Sequence, residues 1–234
     1  MALLNVANIA FSIKNYAKSN EYFNKLAETS EIDANILQAG VGVMRTWYLL
    51  ENYTNTIQSA TNLLQNERLT NELKEEASYL IAKSYYLLGD TAAARLAFEP
   101  MKQSLNGAYS GEAYYNEAEA YYLRGDMKNA EQVILTITAT PVSDYWLAKS
   151  FILWADIYYA AGNKLQAKQT LQSIIENYDG DELVEVAQKK YDNIVLEENK
   201  AREEHEQQIQ QIKEKSSNEI DMSATETEEK TTNE

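Results

Sequence analysis

Apolar residues along this chain recur at steps of three and four, the spacing that gathers side chains on one side of an α-helix. One such stripe is Ala77, Leu80, Ile81, Ser84, Tyr85, Leu88, and a second, Ala94, Ala97, Phe98, Met101, follows it directly. A short polar turn at Gly89-Asp90 separates them, so the pattern predicts a helical hairpin. Paired stripes return along the chain around turns at Lys14-Asn15, Glu51-Asn52, Gly89-Asp90, Gly125-Asp126 and Gly162-Asn163, spaced by 37, 38, 36 and 37 residues. A lone hairpin cannot bury both of its faces. Stacking on its neighbours must supply the core, which makes the chain a repeat array of about five hairpins.

Turn chemistry supports this division. A helix end followed by a reversal favours a residue at positive φ, where glycine carries no Cβ penalty; Gly89, Gly125 and Gly162 fit that place, and Lys14 and Glu51 fit it less well. Cap-type residues Asp33, Thr70, Ser110 and Ser143 mark the expected starts of the first helix of successive hairpins, with Asp181 opening a last helix. Pro100 lacks the N–H for a bond to Leu96 and crowds that carbonyl, so a kink or an early helix end is expected near Glu99. Pro141 falls between helices.

Around the turns one series of residue types repeats: small, aromatic, turn, small, bulky. It reads Ala82, Tyr85, Gly89, Ala94, Phe98 in the third unit. The fourth has Ala118, Tyr121, Gly125, Ala130, Ile134, and the fifth Ala155, Tyr158, Gly162, Ala167, Leu171. The second unit is degenerate, with Met44, Trp47, Glu51, Thr56 and Ala60, as is the first, with Ala7, Ala10, Lys14, Ser19 and Phe23. Over about residues 2 to 178 this series resembles the tetratricopeptide repeat family, although the period is longer than the family's usual 34 and its early Trp-Leu-Gly signature is missing. The resemblance implies an all-α, right-handed superhelical solenoid. Residues 145–153 also look like the C-terminal end of long tetratricopeptide proteins from Gram-negative cell envelopes, which would make the chain the end of a longer array.

From Asp181 the stripe Leu183, Ala187, Tyr191, Ile194, Val195 predicts a helix that caps the array. Residues 197–215 are almost purely charged and Gln-rich, and residues 216–234, rich in Ser, Thr, Glu and Asn, offer almost nothing to bury. The expected organisation is a solenoid with its capping helix over 1–196, a charged helical extension over 197–215 and a disordered acidic tail over 216–234.

Charge and composition narrow the partners. The net charge of −15 repels nucleic acid and anionic membrane surfaces, and no basic run exceeds two residues. No stretch approaches the roughly 20 apolar residues of a membrane span, so neither nucleic-acid binding nor membrane insertion is expected. Cysteine is absent, which removes disulfides, thiolate metal sites and cysteine nucleophiles. The N-terminus shows no secretory signal; the chain is cytoplasmic, or periplasmic and envelope-associated if a signal lies outside it.

Catalysis finds little footing. The one histidine, His205, sits among Glu203, Glu204 and Glu206 in the charged extension, and no glycine-rich run precedes a helix to cradle a phosphate. No cofactor, metal or catalytic residue is expected. The unusual feature is the 17 tyrosines, concentrated in the first helices of the units. One column, Trp47, Tyr85, Tyr121, Tyr158, occupies the family's interhelix packing position. The next, Phe11, Tyr48, Tyr86, Tyr122, Tyr159, falls where the resembled fold faces its concave groove. Leu4, Val41, Tyr79, Tyr115 and Ile152 share that helix face, with Asn8, Arg45, Lys83, Glu119 and Asp156 between them. The charged row changes sign along the array and would orient a ligand chain; the plainer alternative is pairing between adjacent units, as of Lys83 with Glu119.

The expected function is a non-enzymatic scaffold that holds a peptide or partner helix in a groove lined by Tyr48, Tyr79, Tyr86, Tyr115, Tyr122, Tyr159, Arg45, Lys83, Glu119 and Asp156. Three alternatives stand beside it: self-association as a homo-oligomer through the uncapped first helix around Leu3 to Phe11, a segment of a larger array with no binding of its own, and, last, an enzyme using Glu119 and Asp156.

Overall fold

The two residues at each hairpin turn satisfy both helix ends at once. In a computed structural model that describes the backbone of residues 2–231 and the side chains of 2–213, the first turn residue is left-handed in every hairpin: Lys14 (φ 61°), Glu51 (58°), Gly89 (78°), Gly125 (77°) and Gly162 (78°). The N–H of the next residue reaches back five positions, from Asn15 to the Ala10 carbonyl (2.8 Å), Asn52 to Trp47 (3.0 Å), Asp90 to Tyr85 (3.0 Å), Asp126 to Tyr121 (2.9 Å) and Asn163 to Tyr158 (2.9 Å). That is the Schellman closure of the first helix. The same Asn or Asp then caps the second helix, its side chain accepting from the N–H three residues on, at Lys18, Asn55, Ala93, Asn129 and Gln166.

Among the described residues there are eleven α-helices and no strand. The hairpins are α1 (Ala2–Ser12) with α2 (Tyr16–Thr29), α3 (Asp33–Leu49) with α4 (Tyr53–Leu63), α5 (Asn71–Leu87) with α6 (Thr91–Phe98), α7 (Gly107–Leu123) with α8 (Met127–Thr138), and α9 (Asp144–Ala160) with α10 (Lys164–Asn177). The last helix, α11, runs Asp181–Thr231. As expected from Pro100, α6 stops at Phe98 and the chain continues as a 3-10 turn over Glu99–Gln103.

Two of the expected caps are displaced. Asp33 is the first helical residue, not the cap, which falls on Ile32 with no side-chain bond. Ser110 lies inside α7; Asn106 caps that helix by accepting from the Ala108 N–H at 3.0 Å, because its amide reaches the free N–H groups a turn earlier than the serine can. Thr70 does cap α5, accepting from Leu73, and Ser143 immediately precedes α9.

The chain divides into two compact units, residues 1–150 and 151–234. In the first, the small positions of the repeat series let helices approach closely: Ala7, Ala60, Ala82, Ala118 and Ala130 are fully buried, and Phe23, Met44, Phe98 and Ile134 fill the space between them. Gly42 lies against the Phe23 ring, where a Cβ would sit 2.5 Å from it, and Gly111 similarly faces Trp146. Two buried polar residues of this core are bonded, Asn20 donating to Thr46 Oγ1 at 2.7 Å and Ser19 to the Ala7 carbonyl at 2.9 Å, whereas the Ser84 hydroxyl is buried without a partner among the described residues. In the second unit, Leu171, Ile174, Leu183, Ala187 and Ile194 are buried, and Lys164–Glu197 (3.0 Å) and Lys168–Glu198 (2.5 Å) tie α10 to α11. Beyond Lys200 the described side chains of α11, to Lys213, are all exposed. The tail expected at 216–234 lies outside the described side chains.

Candidate functional site

The first helices of the hairpins in the first unit carry the tyrosine-rich face, and stacking fixes which of its rows opposes which. Arg45 on α3 forms a two-pronged pair with Glu76 on α5, Nε to Oε1 at 2.6 Å and a second nitrogen to Oε2 at 2.7 Å. One hairpin on, Lys83 on α5 pairs with Glu112 on α7, and Tyr79 donates to the other oxygen of that carboxylate at 2.5 Å. Glu112 is 2% exposed. Next along, Glu119 accepts from Tyr115 at 2.8 Å and, more weakly, from Tyr86 at 3.5 Å.

Lys83 thus finds Glu112, not Glu119. The two carboxylates are seven residues apart on α7 and share a helix face, so the choice between them depends on how far α7 slides along α5. The row residue of one hairpin meets the next hairpin about two turns early, and the same offset matches Arg45 with Glu76. Neither Glu76 nor Glu112 belonged to the expected site; a row extended by seven residues toward each helix N-terminus contains both.

Burial then sorts the tyrosines. Tyr115 is 7% exposed, packed against Trp146 with ring centres 5.4 Å apart and the Lys149 ammonium 4.6 Å from its own, so it forms part of the wall and not of an open surface. Val41 and Ile152, from the same row, are also buried. These residues sit on the side of the helix that turns toward the neighbouring hairpin, which the three-and-four spacing alone does not separate from the open side. Tyr79 is half-buried and stacks on Tyr109 at 4.1 Å, with 16° between the rings. Tyr48 and Tyr122 are half-buried, and Tyr86 is 39% exposed with the Lys83 ammonium 5.5 Å from its ring.

The electrostatics follow from this packing. Burial, with the Glu112 charge and Tyr53 behind it, pushes the Tyr48 hydroxyl up to about 12. Burial and the charge and hydrogen bond of Glu112 raise Tyr79 beyond the ordinary phenol range. Tyr86 is raised by burial and then by Glu119, and Tyr109 by burial and then by Glu76. The hydrogen bond with Glu76 holds Arg45 above its usual value.

The second unit contains the remaining two residues of the expected site, Asp156 and Tyr159 on α9. Asp156 pairs with Lys190 at 2.7 Å, and the exposed Tyr159 donates to Glu197 at 2.7 Å. That bond and Lys164 lower Glu197 below the usual carboxylate range. Elsewhere His205 is exposed on α11, and no cluster of three metal-ligating side chains exists among the described residues. Nor, among them, is any helix long and apolar enough to cross a membrane.

A tetratricopeptide repeat model matches residues 76–99 and 144–181. No curated protein matches the chain. Several solved structures share its fold. YrrB, a tetratricopeptide protein described as having an unusual peptide-binding site, aligns at 17% identity and a TM-score of 0.54 over 80% of this chain and 90% of its own. The MamA protein aligns at 13% identity and 0.53, over 76% and 95%. The nearly identical repeats of a putative kinesin light chain from Podosopora anserina align at 17% and 0.50, over 81% and 94%. At such identities the likeness concerns the fold. These two segments carry the tetratricopeptide repeat pattern, and the all-α fold of the chain is that of the tetratricopeptide solenoids.

Proposed function

We propose that the chain is a scaffold whose first unit holds an extended peptide or a partner helix along the face of α3, α5 and α7. The observation that carries the reading is the column Tyr48, Tyr86, Tyr122, partly open to solvent beside the charged row Arg45, Lys83, Glu119. Tyrosine offers contact area with few rotors to freeze and a polar tip that tolerates water when no partner is bound. The ion pairs of Arg45 and Lys83 hold the long side chains in place, so little ordering remains for a ligand to induce. The fold is one that YrrB uses with a peptide-binding site, which supports the reading without locating the site here. On this proposal the chain makes or breaks no covalent bond.

The test is to replace Tyr86 and Tyr122 together by Ala and compare capture of partners with that of the unmodified chain. Loss of capture with a melting temperature within a few degrees supports the reading; unchanged capture refutes it, and a large drop in stability reassigns the two rings to the core. A second reading, self-association, is favoured by one specific observation: Val6, Ile9 and Ile13 on and just after α1 are 39%, 61% and 69% exposed. Light scattering across concentration distinguishes the two, since a mass that stays monomeric removes self-association.

A further inference from the structure

In the fourth hairpin two inward positions of α7 carry a polar and a small residue. Asn116 stands where the frame has Leu80, 36 residues earlier, and Leu153, 37 later, both buried. Ala120 stands where Ile157 occurs in α9 and the small Ser84 in α5. Both leave little apolar volume on the side of α7 that faces α6, and α6 is itself cut short at Phe98 by Pro100. The result is a cleft of about 120 Å³ between α6, the 3-10 turn and α7. Its floor is apolar, from Ala94, Phe98, Ala113 and Ala120.

The polar groups around it are unevenly satisfied. Lys102 is occupied by Glu99 at 2.7 Å and Glu117 at 2.8 Å, and Glu119 by Tyr115 and Tyr86. Arg95 and Arg124 also line the cleft and adjoin a smaller one beside it; among the described residues neither guanidinium has a hydrogen bond or an ion pair. The Asn116 side-chain nitrogen is out of contact with water and has no partner either. Every unsatisfied group identified here is thus a donor, and two of them are cations in a chain of net charge −15.

We infer that this cleft binds a monocarboxylate with a compact apolar body, the body seated on Ala94, Phe98, Ala113 and Ala120 and the carboxylate taken by Arg95 and Arg124. A space of this size matches one branched aliphatic group or small ring, since a cavity of roughly 150 Å³ accepts benzene. Planar guanidinium donors suit a carboxylate. The same chemistry comes from a small free acid or from an apolar residue at the C-terminus of a peptide.

The experiment titrates the isotope-labelled full chain with isocaproate, its neutral amide, and the tripeptide Ala-Ala-Leu with a free or an amidated C-terminus, following backbone and Asn116 side-chain amide resonances. Binding is expected from isocaproate, from the free tripeptide, or from both, with shifts confined to α6, the 3-10 turn and α7, and with at least tenfold weaker binding for the neutral forms. Binding of the free acid alone identifies a small-molecule site, and tighter binding of the free tripeptide identifies a chain terminus. The exposed pair Arg95→Gln/Arg124→Gln should weaken binding at least tenfold while leaving the unliganded spectrum unchanged elsewhere. Absence of shifts in the cleft with every carboxylate, or equal binding of the neutral amide, overturns the inference. Tyr86 lines this cleft as well as the tyrosine face, so the Arg95→Gln/Arg124→Gln pair tests the cleft and Tyr122→Ala, which lies outside it, tests the face.

Discussion

Removing Lys83 should damage the protein more than removing Glu112, although the two form one ion pair. The reason is their unequal burial: side-chain exposure is 21% for Lys83 and 2% for Glu112. When Glu112 becomes Gln, the Tyr79 hydroxyl keeps an acceptor and the lysine ammonium can swing toward water on its flexible stem. The expected loss is then that of a charge-assisted bond, about 1–2 kcal/mol. When Lys83 becomes Met, a carboxylate that cannot reach water keeps only the Tyr79 hydroxyl. Leaving a buried charge without its partner costs about 3–5 kcal/mol, and the Tyr79 bond places the expected value near 3. In the double variant the stranded charge is gone, so its loss should fall below the sum of the singles by about 1–2 kcal/mol. Urea unfolding at neutral pH followed by circular dichroism measures all three, with the slope m checked for constancy. A Lys83→Met loss smaller than that of Glu112→Gln, or a double variant that is simply additive, would refute the argument from burial.

Other outcomes follow from the same geometry. Glu51→Gly should raise stability by about 0.5–1 kcal/mol, because relief of a left-handed residue exceeds the added freedom of glycine in the unfolded chain; thermal unfolding reads the gain, and a lower melting temperature contradicts it. At Gly42 the sign reverses. Gly42→Ala improves helix propensity by about 1 kcal/mol but presses a methyl into the buried Phe23 ring, an overpacking cost of about 1–3 kcal/mol, so a net loss is expected in the same assay. In alkali, Tyr48 and Tyr79 favour the protonated phenol in the folded state, because their folded pKa values lie above the unfolded value of 10. Their contribution is complete below pH 10 and declines as pH rises through about 12 for Tyr48 and higher still for Tyr79. Tyrosinate absorbance should therefore appear in two phases, with the late phase coincident with unfolding; Tyr48→Phe and Tyr79→Phe should remove part of that phase.

Much of the architecture was legible in order along the chain because it depends on neighbours a few residues away. A stripe at steps of three and four, a residue able to take positive φ and an Asn or Asp after it specify helix, turn and helix within a single segment. Lys14 and Glu51 show that the backbone position is retained where glycine is not. Pro100 ended α6 for the same local reason. The double use of Asn15, Asn52, Asp90, Asp126 and Asn163 as closure and cap was also local, present in every turn as the residue after the left-handed one.

The candidate face was legible only in part. Periodicity places Tyr79, Lys83, Tyr86, Tyr115, Glu119 and Tyr122 on two helix faces but does not say how far one helix slides past the next. Residues seven apart are equivalent on a helix, so Glu112 and Glu119 were equal candidates for Lys83 until stacking selected the earlier one. The same ambiguity left Tyr115 on the open side when Trp146 in fact covers it. The cleft beside Asn116 required both a polar residue at a Leu position and a shortened opposing helix, and only their meeting in space turns two local departures into a cavity. Sequence alone determined the helices, their turns and their repeat, since these arise from short-range sterics and hydrogen bonding; tertiary structure decided register, and through register which charges are paired, which rings are covered and which donors are left unsatisfied.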